Sequence, residues 1–157
     1  MTNDEFLSIV PTECHLTIAA GFTGASGFKD AHTQADRLRR VAEAQTNKER
    51  SVLSSADEGA LTAAAFIDRI PLAHNLIWSV LGELSASDEY SFAIRETARS
   101  FLKNGISGAA KDMVIHRNTV KYRVDKFRDA LGTRDINGAE VRLALELSHW
   151  LNNAETN

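Results

Sequence analysis

Cysteine is almost absent from this 157-residue chain: Cys14 stands alone, so no intrachain disulfide can form and a reducing compartment suits it. Proline occurs twice and aromatic residues make up 7%. Low proline removes Pro-rich linkers as an organising feature. Long apolar runs are missing too. Stretches such as Leu61–Ile67 fall far short of a membrane span, and no cationic segment precedes an apolar one near Met1, so no signal peptide is expected. What is present is ordinary: 43% hydrophobic and 25% charged residues, the composition of a globular protein with one medium or two small domains. A soluble, cytoplasmic protein without membrane association is the expectation.

The net charge of −3 is unevenly spread. Residues 1–87 carry 7 Lys/Arg against 11 Asp/Glu, while residues 88–157 carry 11 against 10. Within residues 103–128, Lys103, Lys111, Arg117, Lys121, Arg123, Lys126 and Arg128 face only Asp112 and Asp125. Such a stretch fits a polyanion footprint or a solvated helix face.

Apolar alternation over 12–22 predicts a strand, and Phe28, Ala31, Ala35, Leu38 and Ala42 recur at helical spacing on one stripe. Thr46–Arg50 reads as a polar loop and residues 51–55 as a second strand. From Asp57 to Ser85 the pattern is helical, with Pro71 starting a helix and Leu72, Leu76, Val80 and Leu84 spaced by four. Trp78 is expected to be a packing residue rather than a ligand platform. Asp88 opens a helix over roughly 89–103 that Asn104-Gly105 stops. Ser107 then caps a short helix through Met113, followed by helices over about 117–131 and 139–152. The fold class is therefore mainly α: a four-helix C-terminal module preceded by a small strand-helix-strand segment and connecting helices.

Residues 107–124 have the pattern of a helix-turn-helix. Ala109 and Ala110 permit a close helix crossing, Ile115 plugs the turn, and Val120 and Val124 anchor the second helix inward. The opposite face is then expected to present Arg117, Asn118, Lys121, Tyr122, Arg123 and Lys126. Arg, Lys and Asn suit base edges in the major groove, and Tyr can donate to phosphate. Ser107, His116 and Thr119 lie near helix starts, where free N–H groups and the dipole favour phosphate. These nine residues form the expected DNA-binding set, with Arg123 placed as a base or phosphate contact. Cys14 and His15 lack companions at zinc spacing, and no phosphate-loop fingerprint occurs. No catalytic site, metal or cofactor is expected.

The segment His116-Arg-Asn-Thr-Val-Lys-Tyr-Arg-Val124 resembles the signature HRNTVRYRL of the C-terminal helix-turn-helix of PucR/CdaR-type bacterial transcriptional regulators. The likeness spans about residues 80–152, taking in Leu81-Gly82, Ile94-Arg-Glu-Thr97, Phe101–Gly105, Leu131-Gly132 and Arg142–Leu147. Gly108, Asp112, Met113 and Val114 depart from it, and Gly108 would cost its helix up to ~1 kcal/mol relative to Ala. The N-terminal segment is more distantly similar to the second half of a GGDEF-like α/β domain. No GGDEF string occurs, so cyclic dinucleotide synthesis is not expected. The resemblance implies a partial GGDEF-like segment at 1–58, connecting helices at 59–87 and a DNA-binding domain at 88–154. It also implies a transcription regulator that binds double-stranded DNA as a homodimer or higher oligomer, with a small-molecule effector left open. The alternative is a helical interaction or oligomerisation module, or an effector sensor, with no DNA binding of its own.

Overall fold

A computed structural model describes residues 9, 11, 14–45 and 51–152. It is mainly helical with one small sheet. The elements run β1 (His15–Ile18), α1 (Gly27–Ala44), β2 (Ser51–Ser54), α2 (Ala60–Phe66), α3 (Ile70–Leu81), α4 (Glu89–Asp112), α5 (Arg117–Leu131) and α6 (Ala139–Leu151). Short 3-10 turns at Ile67–Arg69 and Gly82–Ser85 flank α3. The chain divides into two compact units, up to Leu72 and from Ala73 to Asn152, so the division falls inside α3.

In the first unit β1 and β2 pair in parallel, with His15 opposite Ser51 and Ile18 opposite Ser54. Parallel strands need a crossover, and α1 supplies it. The first strand is shorter than the alternation implies, because the Ala20 N–H donates to Gln34 Oε1 (2.7 Å) instead of extending a ladder. The expected polar loop at 46–50 lies outside the described residues.

The expected stripe on α1 holds at Leu38 and Ala42, joined by Val41, all buried. It fails at Phe28, which is 86% exposed. Gly27 takes the inner position there: a Cβ on it would lie 2.6 Å from the Phe22 carbonyl oxygen, so the next residue turns outward.

Pro71 begins the helix as expected, occupying the second position of α3. Trp78, expected to be a packing residue, is 63% exposed, because its neighbour Ile77 takes the inward position. Asp88 caps α4 by accepting from the Ser91 N–H (2.9 Å). Hydrogen bonding from the Ser91 side chain, and then from its N–H, holds the Asp88 carboxyl below the usual carboxylate range.

A bend divides α4. Gly105 has φ 66° and ψ −177°, a backbone state natural only to glycine, and it separates a longer arm before it from a short arm after it. The short arm folds back tightly. A Cβ on Gly108 would lie 2.3 Å from Asn104 Cβ, and Asp112 accepts from Asn104 Nδ2 (2.5 Å) and Ser100 Oγ (3.2 Å) across the bend. Two departures from the family pattern thus have one cause. Gly108 allows the close approach and Asp112 ties it down.

The helix α6 packs on α4 through a half-buried polar seam. Arg99 Nε donates to both Glu146 oxygens (3.0 and 2.9 Å), and Glu96 Oε1 lies 2.9 Å from His149 Nδ1. The apolar interior behind it includes Ile94, Ala98, Phe127, Val141, Leu145 and Leu151.

Candidate nucleic-acid interface

The short arm of α4, the turn 113–116 and α5 together have helix-turn-helix form. Val120 and Val124 meet Ala109 in a buried cluster, with Phe101, Ile106, Ala110, Ile115 and Ile136 packed around it. Phe127 and Leu131 continue the same stripe along α5. Burial therefore fixes which face of α5 turns inward and leaves the other to solvent.

The turn is tight. Ile115 N–H donates to the Ala110 carbonyl (3.0 Å), and Met113 N–H to that of Ala109 (3.0 Å). Val114 carries the bend at φ 54°, an uncommon state for a β-branched residue, with its side chain 89% exposed. Such a residue costs its fold about 1–3 kcal/mol.

His116 is the N-cap of α5. Its Nδ1 accepts from the Asn118 N–H (3.1 Å), and its carbonyl accepts from Thr119 (2.9 Å) and Val120 (3.2 Å). Because Nδ1 accepts, the proton of the neutral ring belongs on Nε2. The exposed imidazole is therefore a neutral donor at the dipole-positive end of the helix. The Asn118 N–H is therefore already used by the cap.

The other expected contact residues divide into two groups. Arg117, Asn118, Lys121, Tyr122 and Lys126 are exposed, and Lys126 Nζ lies 5.8 Å from the centre of the Tyr122 ring. No ion pair joins Arg117, Lys121 or Lys126 among the described residues. Thr119 is half-buried in the first turn of α5, and Ser107 is exposed just after the bend at Gly105. Arg123 stands apart. It is half-buried, and its Nη1 donates to Thr97 Oγ1 (3.3 Å) on the long arm of α4. Arg128 is exposed but has partners, its guanidinium 5.6 Å over the Phe101 ring and 3.2 Å from Asp125.

Periodicity gave no warning that Thr97 belonged to this arrangement. It is fully buried and donates to the Ala93 carbonyl (2.7 Å) while accepting from Arg123. A polar residue within the inward stripe of α4 was the one available signal.

Among the described residues no helix is long and apolar enough to cross a membrane. In comparison with known families, residues 94–150 fit the family model of the PucR C-terminal helix-turn-helix domain. The matched stretch lies within the span of the resemblance at 80–152 and does not reach the N-terminal segment. No curated protein and no solved structure matches the chain.

Proposed function

We propose, from the fit of residues 94–150 to the PucR C-terminal helix-turn-helix model, that the protein is a sequence-specific DNA-binding regulator of transcription. The observation that carries this reading is the first half of α5, where Arg117, Asn118, Lys121 and Tyr122 are exposed with no carboxylate among them. In the proposal this half enters the major groove. Arg117, Asn118 and Lys121 face base edges or the phosphates beside them, and Tyr122 and Lys126 follow the backbone. Ser107, Thr119 and the Nε2–H of His116 position phosphate where the short arm and α5 begin. Binding is as a homodimer or higher oligomer, because one such helix reads few base pairs and paired half-sites multiply affinity and selectivity.

Selection from random duplex DNA at physiological salt tests the reading, with an Arg117→Ala/Lys121→Ala variant in parallel. Enrichment of a paired motif by the wild type alone supports it. Equal, weak retention of both proteins with no motif overturns it in favour of a helical interaction module.

A further inference from the structure

The apolar stripe of α5 fixes its inward face, but apolar contact is non-directional and leaves rotation about the helix axis loosely set. Two guanidinium groups supply direction. Arg123 immediately precedes Val124, and Arg128 immediately follows Phe127, so they leave the stripe on opposite flanks. Both return to the long arm of α4: Arg123 to the Thr97 hydroxyl and Arg128 over the Phe101 ring, one turn further along. Thr97 is fully buried and its own proton is committed to the Ala93 carbonyl, so its oxygen is oriented to accept.

We infer that Arg123 is a positioning residue, which sets the rotation of α5 through Thr97 and influences DNA recognition by aiming Asn118, Lys121 and Tyr122. This inference rests on the DNA-binding reading. It reverses the expectation from sequence that Arg123 itself touches DNA. Thr97 becomes part of the recognition apparatus without being able to reach a nucleic acid.

A double-mutant cycle with Arg123→Ala, Thr97→Val and their combination decides the matter, using the full chain and the motif that the wild type selects. Thr97→Val removes the acceptor while nearly keeping the shape, and Thr97→Ser keeps the hydroxyl. In thermal unfolding the two changes are expected to be non-additive, because they break one shared bond. On DNA each single variant is expected to lose several-fold in affinity and to relax preference at the same base positions. The double variant should be no worse than the poorer single one, and Thr97→Ser should restore binding. The dependence of log affinity on log salt should keep its wild-type slope throughout.

Three results overturn the inference. One is additive unfolding shifts. Another is a Thr97→Val protein with wild-type base preference beside an Arg123→Ala protein with altered preference. The third is a salt slope shallower by about one in Arg123→Ala, the mark of a lost phosphate contact. A wild type that selects no motif defeats the DNA-binding reading and the positioning role together, whereas a selected motif with an uncoupled pair defeats the positioning role alone.

Discussion

The helices α1 and α5 are both amphipathic, both rich in arginine and both basic to the eye, yet their electrostatics are opposite. On α1, Arg39 bonds Asp36 (2.9 Å) and Glu43, Arg40 bonds Asp68, and Arg37 lies 3.5 Å from Asp68. Each of these arginines has a carboxylate beside it. The first half of α5 has none, and Arg117 and Lys121 project into solvent. A tally of basic residues cannot distinguish the two surfaces. The field that a polyanion meets depends on cations left without nearby anions, and a close ion pair is nearly silent beyond a Debye length of about 8 Å.

The sharpest way to break this comparison is to neutralise both surfaces and measure DNA binding. Arg117→Ala/Lys121→Ala is expected to lower affinity by roughly 10- to 100-fold, about 1–3 kcal/mol. Arg37→Ala/Arg39→Ala should leave it unchanged in the same titration. Equal losses from both pairs would erase the distinction.

Salt dependence sharpens it. Of the seven basic residues within 103–128, Arg123 bonds Thr97, Arg128 pairs with Asp125 over the Phe101 ring, and Lys103 has a partner within the protein. Lys111, Arg117, Lys121 and Lys126 are left to meet phosphate from this stretch. The expected slope of log affinity against log salt is about −3.6 per protomer, against about −6 if all seven made contact.

A smaller effect concerns the start of α5. His116→Ala removes its cap and should cost ~1 kcal/mol of stability in chemical denaturation, while His116→Asn, which can also cap, should cost little. Equal losses would show that the bond to the Asn118 N–H contributes nothing.

The smallest effect lies on the α1 side. The guanidinium of Arg40 holds the Asp68 carboxyl below the usual carboxylate range. A depressed native value means that the pair stabilises fully at neutral pH and that this contribution is lost as acid protonates the carboxylate. Both partners are exposed, so only a slight fall in Tm between neutral and acidic buffer should separate wild type from Asp68→Asn.

Much of this was legible in the chain itself. The strand-helix-strand segment, the helix break at Asn104-Gly105, the Asp88 cap and the inward pair Val120 and Val124 follow from local rules that the structure obeys. Periodicity failed where a neighbour outside the stripe decided the outcome. Phe28 belongs to the α1 stripe by spacing, yet Gly27 fills the close approach. Trp78 follows Ile77 on a helix with more apolar residues than its inner face can take. Gly108 and Asp112, two blemishes when read singly, form one fitted bend once Asn104 is placed beside them. Within the site, spacing identified the exposed residues of α5 but could not follow the long side chain of Arg123 back to Thr97. Where a guanidinium ends depends on acceptors on another helix, and no period within α5 encodes them.

The capping imidazole of His116 carries a consequence for the time course of binding. With Nδ1 committed to the Asn118 amide, the neutral ring has one N–H left, fixed in direction and without charge. An uncharged donor exerts no pull at a distance, so it does nothing to bring DNA closer. Arg117 and Lys121, by contrast, draw a polyanion from afar and speed its arrival. A bond from the ring to phosphate would form only after encounter and would lengthen the stay of the complex. Arrival and residence would then be governed by different side chains, less than two turns of one helix apart.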